Sequence, residues 1–242
     1  MSGEVRIDTS NPAILEIALA SPQTGNAFSP GMADEITRVL QAIAKDVRVI
    51  HFTGDGDDFC AGRKASMPPA GTRMTAIDCR ELIADPVLDF YEVLRNAPVP
   101  VVASIRGRAA GVGCALAALA DVAIAAESAQ FSVPEMNHDI APTLVMTALA
   151  ERVTRTTLAR MVLTRDTISA DEAKEAGIIA MVVPDNDLAA QTARILGQLA
   201  SNSPPVVRGI KAYLNTAMEM SFSARKQHAG LINGAVTAER FR

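Results

Sequence analysis

The stretch from Gly107 to Glu135 constrains the fold more than any other part of this chain. An apolar β-like run, Val99-Pro-Val-Val-Ala-Ser-Ile105, leads into Gly107-Arg-Ala-Ala-Gly111-Val-Gly113, and an Ala/Leu-rich segment from Cys114 to Ala120 leaves it. Strand, glycine turn and helix in that order aim backbone N–H groups at negative charge. A second strand, Asp121–Ala126, follows, and the stretch ends in Ser132-Val-Pro-Glu135. A carboxylate just past a strand, beside an anion-binding turn, can pair a base with an oxyanion pocket. The same glycines also serve close packing of a helix on a sheet, so alone they leave both uses open.

At 242 residues the chain can bury one large core, or one domain with a small appendage. Hydrophobic residues make up 49% and charged residues 21%, which is a globular and not a disordered composition. The net charge is −4 with scattered basic residues, which argues against a nucleic-acid partner. Met1-Ser-Gly-Glu-Val-Arg6 carries no apolar signal region, and no apolar run approaches the roughly 20 residues of a membrane helix. Cys60, Cys79 and Cys114 are odd in number and lack metal-ligand spacing, so they read as reduced thiols of a cytoplasmic protein with no metal. Thr53-Gly-Asp-Gly-Asp-Asp58 is acidic but lacks the alternating ligands and distant Glu of a calcium loop.

Local patterns predict strands at Ile14–Leu19 and Val47–Phe52, and a helix opened by Ser29 as N-cap and Pro30 at the first position. His51 reads as a packed or rim histidine. Ala65–Thr75, with no clear period, reads as a mobile loop or lid. Asp78–Asn96 has helical spacing with an interruption at Pro86. Alternating strands and helices from Ile14 to Phe131 argue for crossover units on a mainly parallel sheet. Further on, Thr143–Leu163 reads as one helix, and Ser169-Ala-Asp-Glu172 is a capping box whose helix stops at Gly177. A strand at Ile178–Val183 and three helices to the end complete the chain. The economical division is an α/β core over residues 1–185 and a C-terminal helical module over 186–242.

Phe59-Cys-Ala-Gly62, then Gly107-Arg-Ala-Ala-Gly-Val-Gly113 about fifty residues on, then Ala129-Gln-Phe-Ser-Val-Pro-Glu135, resembles the enoyl-CoA hydratase/isomerase (crotonase) family. Asn26-Ala-Phe-Ser29 and Ser169–Gly177 match its pattern as well, so the resemblance spans nearly the whole chain. It implies the crotonase-like (ClpP/crotonase) spiral of ββα units with a C-terminal helical module. It also implies an acyl-CoA thioester substrate of fatty acid metabolism, with coenzyme A as part of the substrate and no separate cofactor, and a homotrimer or hexamer. By position, the two backbone N–H donors to a thioester enolate are Arg63 and Val112. Gln23, Ala27, Cys60, Ala61, Gly62, Lys64 and Gly111 would line the CoA thioester.

Departures from the family pattern sharpen the expectation. Hydratases of the family use two glutamates, and the first of these positions is Ala115 here, leaving Glu135 alone. Adding water needs an acid and a base on one water, whereas moving a double bond from 3-enoyl-CoA to 2-enoyl-CoA needs one carboxylate to carry a proton from C2 to C4. The reading is therefore an isomerase with Glu135 as proton shuttle. The alternatives are a hydratase that uses Glu135 with His138 or Asp139 as a secondary acid/base group, and a non-catalytic acyl-CoA-binding subunit. Lys64 replaces the usual aspartate, and the Arg63 side chain is expected to point to solvent, with the CoA 3′-phosphate as the other option. The chain stops at Phe241-Arg242, before the family's usual last segment.

Overall fold

The computed structural model describes residues 4–64 and 71–241. Its first half runs β1 (Val5–Asp8), β2 (Ile14–Leu19), α1 (Pro30–Gln41), β3 (Val49–Gly54), α2 (Ala76–Cys79), α3 (Asp85–Arg95), β4 (Val101–Ile105), β5 (Arg108–Ala110) and α4 (Val112–Leu119). The second half runs β6 (Val122–Ala126), β7 (Gln130–Ser132), α5 (Thr143–Leu149), α6 (Arg155–Thr164), β8 (Ile168–Ser169), α7 (Ala170–Ala176) and β9 (Met181–Val183). It ends with α8 (Leu188–Ala200), α9 (Pro204–Ala217) and α10 (Phe222–Ala238). Among the described residues no helix is long and apolar enough to cross a membrane. The lid expected over Ala65–Thr75 lies largely outside the described residues.

Six strands form one sheet in the order β1-β2-β3-β4-β6-β9, parallel except for the β1–β2 pair. Both faces are covered, as a parallel sheet requires. Ile50, Phe52, Ala103 and Ile105 face a large core with α1, α3, α4 and α5, while Val49, Val102 and Ile124 meet Leu188 and Leu196 of α8. Three short strands, β5, β7 and β8, make a second small sheet. The loop that follows β3 is tied to the small sheet by a bridge between Cys60 and Ala109.

Several caps form as the residues dictate. The Ser29 hydroxyl accepts from Met32 N–H at the start of α1, and Ser169 and Glu172 form the reciprocal capping box of α7, which ends at Gly177 with φ +88°. Regular α-helical bonding is interrupted beside Pro86. The turn before it, Arg80–Ala84, widens to π-helical bonding, and the proline stands in the first turn of α3, where its missing N–H costs no intrahelical bond. The single helix expected over Thr143–Leu163 is two helices. The chain turns after Leu149, and Thr154 caps α6 by accepting from Thr157 N–H. Arg152, in that turn, donates to the carbonyls of Ala118 and Ala120 at 2.9 Å each, closing the C-terminal end of α4.

His51 is packed as expected. It lies on the α8 face of the sheet, bonded to Glu16 at 3.0 Å and to the Ser104 hydroxyl at 2.8 Å, and burial holds its pKa below its ordinary value against the pull of Glu16. This Glu–His–Ser chain has no oxyanion donors, because Ser104 sits mid-strand in β4 where the ladder to β6 occupies the backbone. The residues around Glu135 belong to the other, larger core.

Candidate active site

The site is built from three loops, which follow β2, β3 and β5. The first is the turn from Gln23 to Ala27. Asn26 sits in it with φ +56° and no exposed surface. Its side chain accepts from Ser21 N–H at 2.9 Å and donates to the carbonyls of Asp55 and Asp58 at 2.9 and 2.7 Å. Asparagine tolerates the left-handed region, and here its amide replaces the backbone partners that two adjoining turns lack.

The second loop is Phe59–Lys64. Ala61 N–H donates to Gly25 at 2.8 Å, so this loop is stitched to the first. Phe28 N–H donates to Gly62, and Lys64 N–H donates to Phe28, at 2.8 and 2.9 Å. Both partners of Phe28 flank Arg63, so the N–H of Arg63 faces away from Phe28, and it makes no hydrogen bond among the described residues. Gly62 makes the turn possible with φ +128°. Gln23 and Lys64 are exposed, Ala27, Ala61 and Gly62 are half-buried, and Cys60 is buried. Burial pushes the Cys60 and Cys114 thiols up to about 11 and about 12, which removes both as nucleophiles at neutral pH.

The third loop is the glycine turn into α4. Ala110 N–H donates to the Cys60 carbonyl and Gly111 N–H to that of Ser132, both at 2.9 Å. A β-carbon on Gly113 would collide with the Cys60 carbonyl and stand 2.9 Å from Cys60 Cβ. Glycine here therefore lets the first turn of α4, which begins at Val112, rest on the second loop at Cys60. No side chain caps this helix end. The Val112 N–H belongs to the first turn, whose donors have no intrahelical partner. Gly113→Ala should lower turnover about 100-fold, because shifting one donor by about 1 Å costs that much. It should also lower stability by about 2 kcal/mol through overpacking. Steady-state kinetics and urea unfolding of the variant check both.

Glu135 comes to the same place from β7, as the first residue of a single 3-10 turn, Glu135–His138. Its Oε1 would stand 2.5 Å from a β-carbon on Gly111, whose φ is +53°, so the carboxylate lies directly over the residue that precedes Val112. Its Oε2 is buried with no hydrogen-bond partner among the described residues. Burial holds the carboxyl above its ordinary pKa. Ala115, one turn into α4, is fully buried and offers no second carboxylate. His138 and Asp139 are both exposed, Asp139 in the left-handed region that ends the turn.

The fold thus brings Gly111 and Glu135 together, sets the first turn of α4 against the loop that carries Arg63, and leaves His138 and Asp139 on the outside. The Arg63 side chain, expected in solvent, is half-buried and donates to the Ile83 carbonyl at 3.2 Å, because the π-helical turn exposes a carbonyl toward it. Two supports were not read from the sequence. Asp58 accepts from the Arg108 backbone and side chain at 2.6 to 3.0 Å, pinning the second loop to β5. Tyr91 of α3 lies within electrostatic reach of Glu135, Cys60 and Arg63. Its position four residues after Val87 and three before Leu94, on the apolar stripe of α3, is the signal that marks it.

Comparison with known proteins fits this geometry. The family model for enoyl-CoA hydratase/isomerase matches residues 9–237. The chain is 32% identical over 213 residues to the mitochondrial enoyl-CoA hydratase of Pongo abelii, covering 86% of this chain and 70% of that protein. The structure of human enoyl coenzyme A hydratase domain-containing protein 3 superposes with a TM-score of 0.87 at 27% identity, covering 96% and 91% of the two chains. A Thermobifida fusca protein crystallised in complex with CoA superposes with a TM-score of 0.87 at 25% identity, covering 98% and 94%. With the crotonase fold in common and the match running along nearly its whole length, the chain belongs to the enoyl-CoA hydratase/isomerase family.

Proposed function

We propose that the protein is an acyl-CoA enzyme that shifts a 3-enoyl thioester to its 2-enoyl isomer. The observation that carries this reading is the pairing of one desolvated carboxylate, Glu135, with a buried alanine, Ala115, where a second acid would stand. In the mechanism, the thioester carbonyl oxygen accepts from Arg63 and Val112 N–H. Glu135 removes a proton from C2, the dienolate charge rests on the oxygen, and the same carboxyl delivers the proton to C4. Proton and electron pair are conserved within the substrate. Each backbone donor contributes about 3 kcal/mol to the enolate-like transition state, and a base with a raised pKa is a stronger proton acceptor once ionised.

The CoA portion would follow Gln23, Ala27, Cys60, Ala61, Gly62 and Lys64. The relatives' names favour a second reading, hydration of 2-enoyl-CoA. The outward positions of His138 and Asp139 weigh against it, and Glu135 weighs against a non-catalytic binder. Assembly as a trimer or pair of trimers is supported by the apolar residues Ile210 and Leu214 of α9, Met218 just after it and Leu231 of α10, all exposed in the single chain. The free thiols at Cys60, Cys79 and Cys114 support a reducing compartment such as the cytoplasm.

Incubating the purified protein with 3-enoyl-CoA and separately with 2-enoyl-CoA tests the reaction. Isomerisation of the first without net hydration of the second is expected; hydration of 2-enoyl-CoA as the faster reaction would overturn it. The pH profile should follow Glu135. Its kcat/KM should rise with pH as the carboxyl ionises, with a midpoint above that of an ordinary glutamate because burial raises it.

A further inference from the structure

Glu16, His51, Thr53 and Ser104 form a polar cluster that the acyl-CoA reading leaves unused. They line a cavity of about 310 Å³ beside α8, on the face of the sheet away from the core around Glu135. That volume is enough for a small molecule. The cavity lies where β3 and β4 approach their C-terminal ends and α8 begins, the edge at which parallel α/β sheets take ligands.

The cluster itself is closed. Glu16 Oε1 accepts from Arg6 at 2.7 Å, and its Oε2 is bonded to His51 Nδ1. Ser104 Oγ is bonded to His51 Nε2 and to Thr53 Oγ1, at 2.8 and 3.0 Å. Each of these side chains therefore has its partner, and Ser104, with no backbone donor beside it, is not a nucleophile.

The unmatched groups stand on the other walls. Thr192 of α8 is 4% exposed, and its hydroxyl has no hydrogen-bond partner among the described residues. Buried hydroxyls are ordinarily bonded, and one left bare is destabilising. The guanidinium of Arg106, just past β4, makes no hydrogen bond or ion pair among the described residues. Both groups can donate. Leu188 and Ala189 bring the start of α8 to the same cavity, and no side chain caps that helix end, which favours negative charge. Of the acids just before it, Asp185 is bonded to Ser128, and neither Asp185 nor Asp187 lines the cavity. The remaining lining is apolar: Leu188 and Leu196 are buried, while Ala189 and Ala193, one turn apart, are exposed and keep the mouth open.

We propose that this cavity is a second ligand site, which takes a small aliphatic monocarboxylate. Its carboxylate accepts from the Thr192 hydroxyl and the Arg106 guanidinium, and its chain lies on Leu188 and Leu196. The site is independent of the reaction assigned to Glu135.

Isothermal titration calorimetry of the full-length protein with butyrate, formate and butyramide tests it. Formate keeps the charged head without the chain, and butyramide keeps the chain without the charge. Butyrate should bind with a Kd of about 1 mM, within reach of so small a ligand, and about tenfold tighter than either of the others. Thr192→Val and Arg106→Gln should each weaken butyrate about tenfold. Thr192→Val should also leave the Tm of the free protein equal or higher, because it removes a bare buried hydroxyl; a structural hydroxyl would lower it. Glu135→Gln, in the other core, should leave butyrate binding unchanged. Absence of butyrate binding, equal binding of the three probes, native affinity in either wall variant, a lower Tm in Thr192→Val, or loss of binding in Glu135→Gln would each overturn the proposal. Arg106 is exposed, so its variant carries the test even if Thr192→Val does not fold.

Discussion

Replacing Glu135 by glutamine is expected to lower isomerisation of 3-enoyl-CoA about 1000-fold with little change in KM. Glutamine keeps the shape and the contact over Gly111 but cannot accept the C2 proton. Loss in kcat with an unchanged KM is the signature of a group that acts in the transition state alone. The fold should not suffer. A carboxyl whose pKa is raised by folding is more easily protonated in the native state. Its contribution to stability is therefore present at low pH and lost as pH rises through the native pKa. Glutamine removes a group whose ionised form burial disfavours, so above the native pKa Glu135→Gln should unfold at an equal or higher urea concentration. Steady-state assay and urea unfolding on one preparation check both halves. A variant that isomerises at the native rate sinks the single-base mechanism.

The second large effect concerns stability. Lys211 of α9 is 2% exposed in its side chain, and its Nζ donates to both oxygens of Asp121 at 2.9 and 2.8 Å. Asp121, itself 14% exposed in its side chain, also accepts from Val101 N–H at 2.8 Å. The pair therefore joins the C-terminal helices to the point where β4 and β6 begin. Burial holds the lysine below its ordinary pKa, and Asp121 opposes that. Lys211→Met should cost about 3 kcal/mol or more, because the carboxylate is left buried without its cation. Asp121→Asn combined with Lys211→Met should recover much of the loss, since an asparagine oxygen can still accept from Val101. Urea unfolding of the single and double variants checks the sign, and a single variant as stable as the native protein would refute it.

Much of the fold was legible because its signals are local. Ser29-Pro30 and Ser169–Glu172 declare helix starts within four residues, and Gly177 declares a stop. The parallel sheet followed from alternation. The small sheet was not legible, since β5, β7 and β8 have two or three residues each and no period can be read from so few. The break after Leu149 was hidden because both halves of Thr143–Leu163 have helical spacing. What separates them is Arg152 reaching α4, a contact of 34 and 32 residues' separation. The same limit applies to the site. Glu135 and the glycines sit in a recognisable order, but the turn of Arg63 onto Ile83 and the bare hydroxyl of Tyr91 depend on α3, which no short motif describes.

The composition of α4 carries a consequence for how the protein responds to its surroundings. From Val112 to Leu119 it holds only Val, Gly, Cys, Ala and Leu, with no acidic or basic residue at either end, and its carbonyl end is closed by Arg152. Whatever this helix offers an anion, it offers through peptide dipoles. Peptide dipoles do not titrate, and buried ones are screened little by salt. Acidity should therefore act on the chemistry of Glu135 and leave the grip on an anionic intermediate untouched. Substitutions within α4 are constrained by volume alone: a residue there can be too large for its neighbours, but there is no charge for it to lose.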